Sequence, residues 1–287
     1  MSDPQCLICG NAAAAALAYP HPKSELFEGL EVCLCRSCGM GWVDRQLDPA
    51  RLHAYYAEDY AQHAKRVQRP GPEAYFGAPE QMFKPQRSRA QLRLAQERLA
   101  RPPRRLLDFG AGFGTTLYLA RKEFWPETTL VAVEPDLSMK PYLEFIAAEI
   151  VENLDQVATA SCDLIIASHV IEHYQSAEVE EVLQKLRACL APDGLLVAEV
   201  PNSDFQAYPD IAGHSHEPHL LFFSQKAFAA LFTAAGFSVP FVSTTGSQRR
   251  HGTLADLTGK VLRRLKGKSE YGNHRSAIRL AAHINAG

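Results

Sequence analysis

The glycine-rich stretch at residues 105–117 constrains this chain more than any other feature. It begins with Leu106 and Leu107, which open a short apolar run typical of a buried strand. The glycines that follow at alternate positions are Gly110, Gly112 and Gly114. Glycine allows a sharp turn and lets a ligand approach the backbone closely. The helix predicted from Thr115 presents free N–H groups and a positive dipole end to an anionic group.

The spacing of these glycines distinguishes between possible ligands. A dinucleotide-binding fingerprint places a third glycine three positions after the second, and Thr115 occupies that position here. A second strand is predicted at residues 130–134 and ends in Glu134, 20 residues after Gly114. An acid at that strand end can accept hydrogen bonds from two ribose hydroxyls. The stretch therefore predicts a nucleoside site that departs from the nicotinamide pattern.

The rest of this region alternates predicted strands with predicted helices. Further strands are expected at residues 149–152, 163–168, 195–200 and 237–242, and no clear seventh strand follows them. The alternation predicts an α/β fold, Rossmann-like, with a doubly wound and mostly parallel sheet. Ligands of such sheets bind at the carboxyl ends of the strands, where Asp108, Ser168 and His169 also lie.

Four cysteines near the N-terminus form two CxxC pairs. The pairs are Cys6 with Cys9 and Cys35 with Cys38, each followed by a glycine. This spacing is typical of a zinc ribbon, in which four thiolates close the coordination shell and leave no position for catalysis. Disulfides or free thiols are the alternatives. Cys33 precedes the second pair and is not expected to be a ligand.

Four blocks together resemble the class I S-adenosylmethionine (SAM) dependent methyltransferases. They are LLDFGAGFGTTL from Leu106, VAVEPD from Val131, DLIIASHVIEHY from Asp163 and LAPDGLLVAEVPN from Leu190. The resemblance implies SAM as cofactor and methyl transfer as the activity. The implied cofactor-binding residues are Asp108, Gly110, Gly112, Gly114, Glu134, Asn153, Ser168 and His169. Asp155 is the alternative to Asn153 beside the adenine.

A zinc ribbon in front of such a domain resembles one subgroup of these enzymes. In that subgroup a zinc-binding lobe covers the substrate cleft, and many members act on nucleotide-linked sugars or natural-product scaffolds. The tyrosines at 55, 56 and 60 resemble the linker of the subgroup. They are expected either to form a wall of the substrate site or to pack the lobe onto the main domain. The resemblance implies a small-molecule or glycan acceptor.

Transfer from a sulfonium needs an acceptor held in line with the methyl group, and a hydroxyl or protonated amine must also lose a proton. Histidine suits proton transfer near neutral pH. The candidates for catalysis are His173, His216 and His219, with His214 beside them. His173 has a structural role as its alternative, and the cluster at 214–219 could bind a metal, although Pro218 interrupts it.

The segment at 214–224 also resembles part of the sugar C-methyltransferase pattern. The match is partial because Glu217 and Pro218 replace two of its residues. The chain also ends before the extra C-terminal domain of those enzymes. We therefore expect O- or N-methylation rather than C-methylation.

The domain prediction has four parts. Residues 1–47 are expected to form the zinc-binding ribbon lobe, 48–103 a helical linker or lid, 104–246 the SAM-binding domain and 247–287 a basic C-terminal extension. Within the linker, residues 68–85 are rich in proline and glycine and are expected to form a flexible loop. In the extension, basic residues outnumber acids nine to two from Arg249 on. It is expected to pack on the domain or to contact a membrane, a lipid-linked substrate or a diphosphate.

Composition and charge limit which partners and which cellular location can be expected. The formal net charge is −2, and residues 11–34 of the ribbon contain one lysine and no arginine, so nucleic acid is not the expected partner. No apolar run approaches 18 residues and no signal pattern opens the chain, so we expect a cytoplasmic protein with reduced thiols. The rival functions are an RNA methyltransferase that uses the ribbon and the basic segment, and a SAM-binding scaffold without turnover.

Overall fold

The computed structural model describes residues 5–13, 15–19, 24–59, 70–82, 85–203, 218–246 and 272–284. His214, His216 and the basic segment at 247–271 lie outside the described residues, so the predictions made for them stay predictions. Within the described ranges, the helices are all too short or too polar to cross a lipid bilayer.

Eleven strands are described, in two sheets. The strands are β1 (Ala15–Ala18), β2 (Glu31–Leu34), β3 (Gly41–Val43), β4 (Arg105–Phe109), β5 (Thr129–Val133), β6 (Glu149–Val151), β7 (Cys162–Ser168), β8 (Leu190–Pro201), β9 (Leu221–Phe222), β10 (Phe237–Gly246) and β11 (Gly272–Ile284). The α-helices are α1 (Pro49–Ala54), α2 (Pro72–Gly77), α3 (Pro79–Met82), α4 (Gln86–Arg98), α5 (Thr115–Leu119), α6 (Lys140–Phe145), α7 (Val179–Cys189) and α8 (Gln225–Ala234).

The larger sheet confirms the predicted Rossmann-like α/β fold. Its order is β10-β11-β8-β7-β4-β5-β6, and the five strands from β8 to β6 are parallel. Both faces of the central strands are buried, which explains why β7 is an almost unbroken apolar run. Parallel order places the carboxyl ends of β4, β5, β7 and β8 along one edge of the sheet.

The expectation that no seventh strand follows β10 is wrong. Strand β11 lies between β8 and β10 and is antiparallel to both, so residues 272–284 of the predicted extension belong to the central sheet. The alternating pattern of a strand is obscured there by Arg279, a charged residue that is nonetheless buried. Strand β10 is also irregular, because its register shifts between Ser238 and Phe241 around Pro240.

The smaller sheet joins the N-terminal lobe to the main domain. Its order is β1-β2-β3-β9, all antiparallel, and β9 comes from the segment that follows β8 in the chain. Trp42 of β3 pairs with Leu221 of β9. One hydrophobic cluster contains residues of the larger sheet together with Cys6, Cys33, Cys35, Cys38, Met40 and Trp42 of the lobe. The lobe is thus packed directly onto the main domain.

The prediction of a flexible loop at 68–85 is also wrong, because α2 and α3 lie within this range. Pro72 and Pro79 each open a helix, where the fixed φ of proline is favourable and its missing N–H costs nothing. Buried Tyr75 stacks on Phe113 of the glycine turn, with ring centroids 4.9 Å apart. The linker therefore covers the glycine turn with a helical layer.

Candidate functional site

A cavity of about 480 Å³ opens at the carboxyl edge of the larger sheet. This volume is typical of small-molecule sites. Its wall includes His53, Tyr56, Gly110, Glu134, Asn153, His169 and His173. The wall therefore combines the predicted cofactor-binding edge with side chains from the linker that follows the lobe.

The glycine turn is built as the sequence predicts. Gly110, Gly112 and Gly114 have φ values of +74°, +52° and +72°, a region that favours glycine. A Cβ atom on Gly110 would lie 2.9 Å from Val170 Cγ2, which is too close. Around a Cβ on Gly112, by contrast, no heavy atom lies within 4 Å. The turn is thus closed on one side and open to a ligand at Gly112.

Glu134 lies at the end of β5 and lines the cavity. Its Oε2 accepts a hydrogen bond from the Gly112 N–H at 2.6 Å, and its Oε1 accepts one from the Asp136 N–H at 3.0 Å. The carboxylate is therefore held in place by the turn itself. Each carboxylate oxygen has a further lone pair, so the same group can also accept from ribose hydroxyls.

Asp108 sits behind the turn rather than on the cavity wall. It is buried and shares a hydrogen bond with the Thr116 hydroxyl at the start of α5. Burial, with the charge of Glu134 adding to it, raises the pKa of Asp108 to about 8. At neutral pH this carboxyl is mostly protonated. It braces the turn and the helix N-terminus and does not contact the cavity directly.

The other predicted cofactor residues occupy the same edge at different depths. Asn153 lines the cavity, and its Oδ1 accepts from the Asp155 N–H at 3.1 Å. Ser168 lies at the end of β7, where its Oγ accepts from Gln91 Nε2 at 2.8 Å. His169 follows with a positive φ of +56°, an unusual conformation for a side chain of its size.

His169 lies between two buried carboxylates. Its Nδ1 is 3.3 Å from Glu172 Oε1, and its Nε2 is 3.7 Å from Glu199 Oε1. Burial and the nearby Arg87 lower the pKa of His169, but the two carboxylates outweigh them and raise it overall. The ring is thus favoured in its charged form, where it neutralises part of this acidic pair.

A buried ion pair between Glu199 and Arg279 connects β8 with β11. Arg279 donates to Glu199 Oε2 from Nε at 2.7 Å and from Nη2 at 2.5 Å. Although burial opposes ionisation, His169, Arg279 and Arg87 hold the pKa of Glu199 well below its usual range. Sequence reasoning missed this pair, because its partners lie 80 residues apart and no local spacing connects them.

Tyr56, Glu172, His173 and His219 meet on one side of the cavity, and we call these four residues the histidine wall. His173 lines the cavity, and its Nδ1 is 3.0 Å from the Tyr56 hydroxyl. His219 lies behind it, 6% exposed, with the two imidazole centroids 5.0 Å apart. The structure thus brings two of the three predicted catalytic histidines together, while His216 lies outside the described residues.

The four predicted metal ligands also come together. Cys6 Sγ lies 3.5 Å from Cys38 Sγ, and Cys9 Sγ lies 3.4 Å from Cys35 Sγ. Sulfurs around one zinc ion are about 3.8 Å apart when each bond is about 2.3 Å. Burial opposes ionisation, but hydrogen bonds from neighbouring backbone and thiol groups lower the pKa of Cys35 to about 7. The cluster fits a closed tetrahedral zinc site, and buried Cys33 lies outside it.

The fold and the cavity at its carboxyl edge define a class I SAM-dependent methyltransferase. The chain belongs to the methyltransferase-domain family, whose model matches residues 80–240, more than half of the sequence. No curated protein matches the chain.

Many solved structures share this fold, including the following three. A chain from the Haloferax volcanii complex of the Trm112 methyltransferase activator with a putative methyltransferase is 12% identical, covers 80% of this chain and 98% of its own, and has a TM-score of 0.55. The Burkholderia thailandensis 1,6-didemethyltoxoflavin-N1-methyltransferase, bound to 1,6-didemethyltoxoflavin and S-adenosylhomocysteine, is 18% identical, covers 93% and 100%, and has a TM-score of 0.52. A possible histamine N-methyltransferase of Thermotoga maritima is 15% identical, covers 74% and 97%, and has a TM-score of 0.50.

Proposed function

We propose that this enzyme transfers the methyl group of SAM to a small polar acceptor, a hydroxyl or amine of a sugar or of a glycan-linked compound. The observation that carries the proposal is the meeting of two surfaces in one cavity. The glycine turn with Glu134 forms one surface and the histidine wall forms the other. One surface suits a nucleoside and the other suits a polar acceptor.

The residues of the first surface fit SAM. Gly112 leaves open space beside the turn, and Glu134 offers carboxylate oxygens that the turn already orients. We assign ribose binding to Glu134 and adenine contact to Asn153, with the glycines and His169 bordering the rest of the ligand. Asp108 and Ser168 support this surface from behind. When bound, SAM supplies a methyl group activated by a sulfonium centre.

The histidine wall assists the transfer. His173 borders the cavity, and His219 and Tyr56 fix its ring from two other parts of the chain. In our proposal these groups orient the acceptor and help to remove its proton, because a neutral oxygen or nitrogen nucleophile must lose one during transfer. The methyl carbon forms a bond to the acceptor, and the carbon–sulfur bond breaks with its electron pair left on sulfur.

The lobe supports the acceptor side from outside the cavity in this proposal, through the pairing of β3 with β9. We infer that the four cysteines bind a structural zinc ion, since four thiolates leave no coordination position for an acceptor. The wall is polar and formed by linker and main-domain residues, which favours a hydroxylated small molecule over a polyanion. RNA methylation is the alternative that this arrangement disfavours.

The deciding experiment is calorimetric titration of SAM and S-adenosylhomocysteine into the wild type and Glu134→Ala. We expect micromolar binding to the wild type and a loss of at least about 30-fold in the variant, because a charged hydrogen-bond acceptor disappears. Glu144→Ala is the control, since among the described residues the Glu144 carboxylate pairs with Lys140 on the surface of α6. Absence of binding to folded wild type would refute the assignment of the cavity.

The acceptor half is tested by methyl transfer from labelled SAM to pooled sugars and glycan-linked amines. Product formation by the wild type, with at least about a 100-fold loss in His173→Ala at unchanged SAM affinity, is the expected result. Transfer to RNA instead, or binding without any product, would favour one of the two rival functions.

A further inference from the structure

We propose that Glu172, His173 and His219 bind a divalent transition-metal ion on the acceptor side of the cavity. The inference rests on the proposed function and deepens it, because it states how the histidine wall removes the acceptor's proton. It concerns a different site from the cysteine cluster. Within the described residues, these three side chains and the four cysteines are the groups whose donor atoms converge closely enough to hold an ion.

The distances within the cluster suit ligands of one ion. One donor atom from each of the three residues lies within 4.8 Å of the other two. Glu172 Oε1 and His219 Nε2 are 3.9 Å apart, too far for a hydrogen bond. Two donors with bonds of about 2.1 Å to one tetrahedral ion lie about 3.4 Å apart. Binding would therefore bring Glu172 Oε1 and His219 Nε2 closer by about 0.5 Å, and any pair near the 4.8 Å limit closer by more than about 1 Å.

Glu172 supplies an independent reason for a cation here. It is 1% exposed, and the charged His169 ring lies 3.3 Å from its Oε1. Its Oε2 has no hydrogen-bond partner among the described residues. A buried carboxylate with an unsatisfied oxygen is costly unless a positive group meets it. An ion between Glu172 and the two histidines would meet this requirement.

The ring of His173 is oriented as in metal-binding histidines. Its Nδ1 lies 3.2 Å from the Pro218 carbonyl oxygen, which can only accept a hydrogen bond. The Tyr56 hydroxyl donates to the same carbonyl at 2.9 Å. With the Tyr56 proton used on this carbonyl, we assign a proton to Nδ1, which then donates to the Tyr56 oxygen or the carbonyl, and the lone pair of the neutral ring to Nε2. An outer hydrogen bond of this kind is what fixes the tautomer of most metal-ligating histidines.

Two histidines and one carboxylate form the ligand set of catalytic zinc sites, which keep an open position for water or substrate. His173 borders the cavity, so the open position would face the acceptor. One carboxylate leaves a divalent ion with a net positive charge, which favours an acceptor bound through an ionised oxygen. Coordination would lower the pKa of a bound hydroxyl, so its proton would leave to solvent. Its oxygen would then bond to the methyl carbon while the carbon–sulfur bond of SAM breaks and leaves its electron pair on sulfur.

A metal ion at this site would restrict the acceptor to compounds that bind through an oxygen atom. Under this proposal the two histidines assist as ligands, and the methylated atom is an oxygen rather than a protonated amine. A protonated amine cannot coordinate an ion, because it has no lone pair.

Metal content per chain tests the site without any knowledge of the acceptor. The full-length protein, purified with zinc and dialysed, is analysed for zinc by mass spectrometry. We expect two zinc ions per chain in the wild type and one in Glu172→Gln. His53→Ala is the matched control, because His53 lines the same cavity outside the cluster, and it should keep two. One zinc in the wild type, or two in Glu172→Gln, would overturn the proposal.

If Glu172→Gln does not fold, absorption spectra of the wild type titrated with cobalt(II) still test the site. The cobalt ion bound by the cysteines should show intense sulfur-to-cobalt charge-transfer bands. A second cobalt ion should bind without adding to those bands. Absence of a sulfur-free second equivalent would also overturn the site. Neither result depends on SAM, so calorimetry on the same sample separates failure of the metal site from failure of the proposed function.

Discussion

At the scale of single residues, Asp108 shows how burial changes the meaning of a sequence motif. The acid that precedes the glycines is expected at the ligand, and the structure instead buries it against Thr116. Its folded-state pKa of about 8 lies above the ordinary value of 3.8, so ionisation disfavours the folded protein. Stability from this group is therefore complete at low pH and is lost as the pH rises toward about 8.

Asp108→Asn should remove this dependence. The amide keeps the shape of the protonated carboxyl and cannot ionise, so the free energy of unfolding should rise relative to wild type between pH 5 and about 8 and then level off. Urea unfolding of both proteins at several pH values measures this difference in the free energy of unfolding. The facing groups are Thr116 and Glu134, and Glu134 is present in both proteins. Parallel pH curves for the two proteins would contradict the assignment.

The residues of the candidate site differ in how far the sequence predicts them. The glycines and Glu134 follow from local spacing, because a turn and a strand end impose short-range rules. Glu172 and Tyr56 do not, because their importance comes from tertiary contacts. The Tyr56 hydroxyl meets His173 across 117 residues. Local spacing leaves open for this reason whether the tyrosines at 55, 56 and 60 form a wall or pack the lobe, and Tyr60 lies outside the described residues.

At the scale of elements, β11 is held in the sheet by an ion pair as well as by its ladder. Arg279 is 7% exposed and Glu199 is fully buried. Removing Arg279 takes away the shortest ion pair of the buried Glu199 carboxylate and leaves it the longer contacts to Arg87 and His169. Arg279→Met should therefore destabilise the fold by about 3 kcal/mol, the lower end of the cost of breaking a buried pair, measured by denaturant unfolding.

The double variant Arg279→Met with Glu199→Gln is the matched control. Because it removes both charges, it should regain most of the lost stability, as replaced buried pairs often do. A double variant as unstable as the single one would show that the arginine acts through packing of its side chain and not through its charge.

The elements that the sequence predicts and those that it misses differ in how clearly their local sequence reflects their environment in the fold. β4, β5 and β7 are buried on both faces, so almost every residue in them is apolar. An amphipathic helix needs apolar residues on one face only, so these short runs indicate strands. β11 carries Arg279 and His283 among its apolar residues, and its neighbours in the sheet are distant in sequence. α2 and α3 were missed because proline and glycine signal a break, although a proline also begins a helix well.

At the scale of the whole molecule, the lobe and the histidine wall, where we propose that the acceptor binds, are connected by backbone hydrogen bonds. Val43 of β3 donates its N–H to the Leu220 carbonyl at 3.1 Å, next to His219 of the histidine wall. Ser224 Oγ donates to the Cys38 carbonyl at 2.6 Å and accepts from the Ala227 N–H, where it caps α8. The cysteine cluster thus reaches the histidine wall through the paired strands β3 and β9.

Cys38→Ser should therefore disturb the acceptor side more than the cofactor side. The variant loses one ligand of the proposed zinc site, and metal binding of this kind is coupled to folding. We expect loss of the zinc bound by the cysteines and fast hydrogen exchange at the Val43 amide. The glycine turn lies in the main domain, so affinity for S-adenosylhomocysteine should change by less than about threefold, or about 0.7 kcal/mol.

Cys33→Ser makes the comparison specific to the metal. Cys33 is buried in the same lobe and lies outside the cysteine cluster, so its variant should keep both the zinc and the slow exchange at Val43. If Cys38→Ser retained slow exchange at β3 and β9, packing alone would hold the lobe. Equal loss of S-adenosylhomocysteine binding would instead show that the lobe supports the whole sheet, because the two hydrophobic layers meet in one cluster.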